Sequence, residues 1–488
     1  MAAPTRNGDA IALGAVRRVD ATALHGACVD VADEGGRLSA MCVHEGELLS
    51  AWSDDARGTV ALIGARIPES RTIRSMTPEL PEAHLFEREL FEDHGIHPEG
   101  HPWLKPVRAH AALEGGARDH PFFRVRGSSV HEVAVGPVHA GIIEPGHFRF
   151  ECHGETVLSL EIQLGYQKRG VEALFMRSAP ARRLVIAESV AGDTAVGHAV
   201  AYCEALEGLA GVQLPARALA IRGVALELER VANHVGDLGA LCNDVGYLPG
   251  ASWLGRLRGE LLNALMDLSG NRFGRSLIVP GGVRFDLGVA AARAMDARLE
   301  RAGRDLDQTL EVVFETPTVL SRFERSGIVP RETARLLGLV GIAARASGLT
   351  HDVRATHATG AYETWPIEPV CLMPGDVMAR ARIRWLESQR SLAWVRARLD
   401  ALPEGEIARD MPAASKPRAA AVSLVEGWRG EIAHFAITDA RGALAAYKIV
   451  DPSFHNWIGL ALAMRGRQIS DFPLCNKSFN LSYAGHDL

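Results

Sequence analysis

The chain has 488 residues, 47% of them hydrophobic, enough for two or three domains around a sizeable core. Its formal net charge of −6 excludes general nucleic-acid binding, which needs a basic face to displace counterions from phosphates, and leaves room only for a local basic patch at a partner interface. No stretch of about 18 apolar residues is free of charge or frequent glycine, and Met1–Asp9 lacks the apolar core of a signal peptide, so a cytoplasmic protein is expected.

Residues 1–110 open with short alternating segments, Leu38 to Leu49 and Thr59 to Ile67, that suit a small sheet. A denser motif follows in Glu87-Arg-Glu-Leu-Phe-Glu-Asp-His-Gly-Ile-His-Pro-Glu-Gly-His-Pro-Trp-Leu-Lys105. His94, His97 and His101 have a spacing that a metal site tolerates, but Gly95, Pro98, Gly100 and Pro102 make the stretch a series of turns, where polar side chains bond local backbone. The run through Gly115-Gly116, Gly127 and Ser128-Ser129 marks a linker, taken as 111–130, before a second domain at 131–488.

The second domain begins with Gly136-Pro-Val-His-Ala-Gly-Ile-Ile-Glu-Pro-Gly-His-Phe-Arg-Phe150, then a hairpin ending in Thr156 to Gln163. Next come Leu164-Gly-Tyr-Gln-Lys-Arg-Gly-Val-Glu172 and Glu188-Ser-Val-Ala-Gly-Asp-Thr-Ala-Val-Gly-His198. From Ala195 onward the pattern is mainly helical. Val224, Leu228, Val231, Val235 and Leu238 mark one buried stripe, and Glu227, Arg230, His234 and Asp237 a polar stripe beside it, read as an internal ion-pair network in preference to a proton path. Gly375-Asp376 opens a long helix that Pro403 stops, with Asp376 as N-cap. Its arginines at 380, 382, 384, 390, 396 and 398 read as a solvated or partner-facing surface. A strand pair follows at Ile432 to Thr438 and Leu444 to Val450, turned by Asp439-Ala-Arg-Gly442. The seven cysteines include no CxxC pair, so neither a zinc knuckle nor an iron–sulfur cluster is expected within the chain.

Taken together, these motifs resemble the large subunits of membrane-bound nickel–iron hydrogenases of the formate hydrogenlyase type, which are homologous to the quinone-site subunit of respiratory complex I. The Glu87–Lys105 motif is similar to the end of the complex I subunit that packs on that quinone-site subunit. The resemblance implies an α+β fold: a small N-terminal α/β domain fused to a mainly helical domain with small β elements. In the hydrogenases the segment at Glu188 reads Glu-Arg-x-Cys-Gly-x-Cys with a histidine four residues later, and the tail reads Ser-Leu-Asp-Pro-Cys-x-x-Cys. Here Ala191 and Thr194 take the first pair of cysteine positions, and Ser482 and Gly485 the second. A methyl, two hydroxyls and a hydrogen cannot replace soft thiolates, so no metal is expected on this chain.

The resemblance further implies that Glu144, in a Glu-Pro-Gly-His147 loop, is buried beside Arg429 and starts a proton path. The residues alone read equally well as a surface turn at Pro145-Gly146. Arg429, in Glu426-Gly-Trp-Arg-Gly-Glu431, takes the place of the arginine that hangs over the metal, with Trp428 where a proline is usual. His139 or His147 would contact a quinone, and His198 would line the cofactor site, while Gly192 stands where complex I has a proton-donating tyrosine. The two motif segments, though 288 residues apart between Thr194 and Ser482, are expected to face each other across a small polar void that includes Asp193. The complex I side of the resemblance brings with it the NADH dehydrogenase class, with NAD and quinone binding. Implied partners are an iron–sulfur small subunit and antiporter-like membrane subunits, with the chain peripheral on the inner face of the cell membrane. Electron and proton coupling to a quinone-like acceptor, a catalytically silent scaffold and, least of all, hydrogen evolution are the functions this leaves open.

Overall fold

A computed structural model describes residues 4–108, 120–141 and 143–488. Part of the expected linker, 111–119 with Gly115-Gly116, lies outside the described residues, and 120–129 form no helix or strand.

The N-terminal unit is a five-stranded sheet. Thr5–Arg6, Thr59–Arg66, Glu47–Asp54 and Gly36–His44 lie side by side, and Arg17–Val19 runs parallel to Thr59–Arg66. The expected single segment Leu38 to Leu49 is two strands, because Glu45 and Gly46 both take positive φ (46° and 76°) and turn a hairpin whose twist matches its strands. Helix His84–His94 ends at Gly95, whose φ of 62° suits a left-handed cap. Its Glu87 is fully buried and accepts hydrogen bonds from Ser75 Oγ, Thr77 Oγ1 and the Met76 amide, closing the loop before the helix. His101 meets only backbone through its ring nitrogens, the His84 carbonyl at 3.2 Å and the Trp103 amide at 3.0 Å, as the turn-rich sequence suggested.

The second unit is mainly helical. Helix Ala216–Asp244 buries Val224, Leu228, Val231 and Val235 completely and packs against Leu248–Ser269 and Val377–Asp400. Asp376 caps the last of these by accepting from the Ala379 amide at 2.8 Å. Its arginines require a correction. Arg382 and Arg390 are exposed, but Arg380 and Arg384 are 1% exposed. Arg380 donates to Ser478 Oγ and the Gly327 and Gly375 carbonyls, and Arg384 to Asp237, because their positions turn them inward with the core stripe. No helix among the described residues is long and apolar enough to cross a membrane.

The sheet Ala419–Glu426, Glu431–Thr438 and Leu444–Val450 joins the two units. Ala420, Val422 and Leu424 pack into the N-terminal core, whereas Ala419, Ala421 and Val425 pack into the helical core. All eight residues of its first strand are therefore buried, and apart from Ser423 and Glu426 they are apolar on both faces, without alternation. Ala10–Ala12 adds an edge strand to this sheet, so the first residues of the chain are built into the second unit's sheet.

The polar stripe of the long helix meets its partners inside the protein. Glu227 binds Arg354 and Arg230, His234 binds Glu387 at 2.9 Å, and Asp237 binds Arg384 at 2.8 Å. Arg345, fully buried, bridges Glu387 at 2.8 Å and Glu426 at 2.7 Å. Removing one partner of such a pair leaves an uncompensated charge in the core. Arg345→Leu is therefore expected to destabilise the protein by about 3–5 kcal/mol, read as a shift of the urea midpoint.

Candidate functional site

The segment Glu188–His198 is a tight connection between helix Pro180–Ala187 and helix Ala195–Ala210. The second helix starts where the carboxylate of Glu229 accepts the Val196 and Gly197 amides at 2.7 and 3.0 Å. Burial pushes Glu229 up to about 8 against the pull of those two amides. Ala191 is fully buried and Thr194 nearly so, while Gly192 is exposed and a Cβ added there would meet nothing within 4 Å.

The tail docks directly on this segment. Ser482 caps the short helix Tyr483–Asp487 by accepting the Gly485 amide at 2.9 Å, and its own amide donates to Ser453 Oγ at 2.8 Å. Arg169, from the upstream segment, donates to the Ser189 and Val190 carbonyls on one side and to the Ala484 carbonyl on the other, at 2.6, 2.9 and 3.0 Å. One guanidinium thus holds both motifs together. Asp487 accepts the Gly165 and Gln167 amides, which fixes the tail's end.

Arg429 repeats this bridging closer to the centre. Its Nη atoms make a two-point pair with Asp193 at 2.7 and 2.8 Å, its Nε donates to the Asn480 carbonyl, and Nη1 reaches Thr194 Oγ1 at 3.3 Å. Trp428, where a proline was expected, lies under the guanidinium at 3.8 Å, and its indole N–H donates to the Asp193 carbonyl and Thr194 Oγ1. The space expected as a polar void between Thr194, Ser482 and Asp193 thus contains the Arg429 side chain.

The expected ligand positions do not fit a nickel–iron centre. Thr194 Oγ1 is engaged by Trp428 and Arg429, Ser482 Oγ serves as a cap, and Ala191 offers a methyl. A Cβ on Gly485 would stand 2.5 Å from Asp451 Cγ and 2.7 Å from both its carboxylate oxygens. The Asp451 carboxylate occupies the volume into which a side chain at 485 would project.

Glu144 needs correcting. It is exposed at the rim instead of buried, because Gly146 approaches the ring of Tyr483 so closely that the loop leaves residue 144 outside. It still addresses the cluster: desolvation raises its carboxyl, Arg429 opposes that rise, and the Tyr483 amide and Gln167 side chain bond it. His147 faces elsewhere, its Nδ1 on the Gly136 carbonyl at 3.2 Å and its ring against Phe122. His139 braces the loop through the Gly146 carbonyl at 2.8 Å. His198 lies in the interior with both ring nitrogens taken, by Asp451 at 3.1 Å and His434 at 3.0 Å, which leaves none for a cofactor. Asp451, His434 and Tyr447 carried no sequence signal; Asp451-Pro452 reads as an ordinary helix start, which it also is.

Burial alone would raise the carboxyls of Asp193 and Asp451, yet Arg429 holds the first and the His198 hydrogen bond the second below the usual carboxylate range. Stability from a depressed carboxyl is present above its unfolded value and is lost as pH falls through its folded value. Asp451→Asn is therefore expected to lower stability near neutral pH and to flatten the acid limb of the stability curve, measured by chemical denaturation from neutral pH down through the acid transition.

Known protein families match both units of the chain. Residues 25–122 match the respiratory-chain NADH dehydrogenase 30 Kd subunit family, and residues 244–423 the 49 Kd subunit family. The chain is 31% identical to membrane-bound hydrogenase subunit alpha of Pyrococcus furiosus, over 72% of this chain and 85% of that one. It is 29% identical to hydrogenase-4 component G of Escherichia coli, over 86% and 76% respectively. Among solved structures, a chain of the membrane-bound sulfane sulfur reductase, an archaeal respiratory membrane complex, shares the fold with a TM-score of 0.69 at 23% identity, over 74% of this chain and 99% of that one. The chain belongs to the family of membrane-bound hydrogenase large subunits, in a form that fuses a 30 Kd-type NADH dehydrogenase domain to a 49 Kd-type one.

Proposed function

We propose that this chain is the large subunit of a membrane-associated oxidoreductase related to complex I and formate hydrogenlyase, in which electrons from an iron–sulfur small subunit reach a quinone-like acceptor. It carries no nickel–iron centre of its own, lies peripherally on the inner face of the cell membrane and works beside antiporter-like membrane subunits. The observation that carries this reading is the filled ligand position: Asp451 stands where a side chain at Gly485 would be, and Arg429 with Asp193 holds the space between the two motifs. Gly192 is exposed and a Cβ added there meets nothing, so on this reading the acceptor approaches from that side, towards Asp193, Arg429 and Glu144.

Glu144 serves as the proton-exchanging group at the rim, its raised carboxyl suited to that task, and Arg429 as the cation over the acceptor. His139 and His147 act by shaping the entrance loop.

A silent scaffold is the second reading. It is favoured by Arg169 and Arg429, each of which binds both motifs in the manner of a structural clamp. Reduction of a short-chain quinone by the purified complex supports the first reading; an intact complex that neither binds nor reduces it supports the second.

Elemental analysis of the purified complex is expected to find no stoichiometric nickel, and about one nickel per chain would overturn the reading. Gly485→Ala, which drives a methyl into Asp451, is expected to destabilise by about 1–3 kcal/mol, measured by chemical denaturation.

A further inference from the structure

Four titratable side chains form a continuous hydrogen-bonded line through the core. His198 Nε2 lies 3.1 Å from Asp451 Oδ2, His198 Nδ1 lies 3.0 Å from His434 Nε2, and His434 Nδ1 lies 2.7 Å from the Tyr447 hydroxyl. All four are buried: Asp451 is 1% exposed, His198 and His434 0%, Tyr447 5%.

Chemistry fixes the direction of this line. Tyr447 has one proton to give and Asp451, as a carboxylate, has none. Only one assignment then satisfies every link with both imidazoles neutral: Tyr447 O–H donates to His434 Nδ1, His434 Nε2–H to His198 Nδ1, and His198 Nε2–H to Asp451. Every donor points the same way. Burial holds His434 well below its ordinary range, in keeping with a neutral ring, and Asp451 stays ionised.

The two ends lie in different places. Asp451 presents its carboxylate to the side-chain space of Gly485, where it also feels Arg429 and Asp193. Tyr447 lines an open cleft between the two units, bordered by Glu89, Asp93, Lys168, Glu172 and Lys448. The line therefore joins a charged outer cleft to the centre of the candidate site. Gly192 offers the site no hydroxyl, and two-electron reduction of a quinone-like acceptor takes up two protons, so Glu144 at the rim leaves one to be supplied from the interior.

We propose that Tyr447, His434, His198 and Asp451 form a one-way relay that delivers protons from the cleft beside Lys448 to the site at Gly485, an inference that rests on the quinone-reducing reading above. In one turn, the acceptor gains electrons from the iron–sulfur partner and a proton from the Asp451 end. The His198 Nε2 proton moves to Asp451, the His434 Nε2 proton to His198 Nδ1, and the Tyr447 proton to His434 Nδ1. Water in the cleft restores the Tyr447 hydroxyl, and rotation of the two rings resets the line. One proton enters and one leaves. All four are positioning groups that never meet the acceptor; Asp451, buried behind Arg429, passes its proton on at the Arg429–Asp193 pair.

The test uses the purified complex with Tyr447→Phe, which keeps the ring stacked on Phe175 at 4.2 Å and removes only the hydroxyl. Turnover with a short-chain quinone is expected to fall about 100-fold, the low end of what a positioned proton donor contributes, with KM unchanged. Nitrogen-15 spectra of the histidine-labelled full-length protein are expected to show His198 and His434 as neutral Nε2–H tautomers. The variant should shift the His434 Nδ1 resonance and leave that of His139, which lies off the line, in place. A proton found on His434 Nδ1, or a variant with undiminished turnover, overturns the relay. A wild-type complex that reduces no quinone overturns the proposed function instead, and the tautomers then decide the relay alone.

Discussion

The pair between Arg429 and Asp193 is the contact on which the site depends. Arg429 comes from the tight turn between two strands, Asp193 from the connection ahead of a core helix, and the Asn480 carbonyl that takes the Nε–H comes from the tail. Three segments distant in sequence are fixed by one planar cation, because a guanidinium presents its donors in a rigid fork. Burying that cation costs several kcal/mol, and the geometry returns it only through the two-point pair, the carbonyl and the Trp428 face together. Arg169 makes the same kind of tie at the periphery with backbone carbonyls alone.

A metal centre with four protein thiolates would cross-link these same segments at fixed distances. Hydrogen-bonded guanidinium groups do the same work without sulfur, and they make a different demand on the surroundings. A thiolate cluster tolerates apolar walls, whereas a buried cation requires carboxylates with satisfied lone pairs. That requirement accounts for the depth of the ionic network behind the site: Asp237 binds both Asn480 and Arg384, and Arg345 joins Glu387 to Glu426 next to the Arg429 turn.

Much of the fold was legible in the sequence, and the failures have definite causes. The helix bounded by Asp376 and Pro403 follows from its cap and its stop, and the strands on either side of Asp439–Gly442 follow from alternation and a turn. Strand Ala419–Glu426 escaped because both its faces are buried, which erases the period of two on which strand reading relies. Arg380 and Arg384 looked like surface charge because composition does not reveal that a helix is surrounded; only the register against Asp237 and Ser478 does. In the site, the two motifs and Arg429 were legible through their resemblance to a family. The exposure of Glu144 was not, since it turns on how closely Gly146 meets Tyr483, and Asp451 was invisible because its position coincides with an ordinary N-cap.

The two glycines at the site have opposite surroundings, and this asymmetry bears on where chemistry takes place. Gly485 is backed by a carboxylate, so the tail side of the site is closed and negatively charged. Gly192 is backed by nothing, and the exposed Glu144 lies towards the same side as Arg429 and Asp193. A molecule entering from that side meets a cation already engaged by two carboxylates in its vicinity, Asp193 in contact and Asp451 behind it. Such a cation has little net charge to offer a fully ionised substrate, but its outward N–H edge can stabilise the partial charge on a carbonyl oxygen as electrons arrive. On the proposed reading, such a site suits a neutral, reducible carbonyl compound better than an anion.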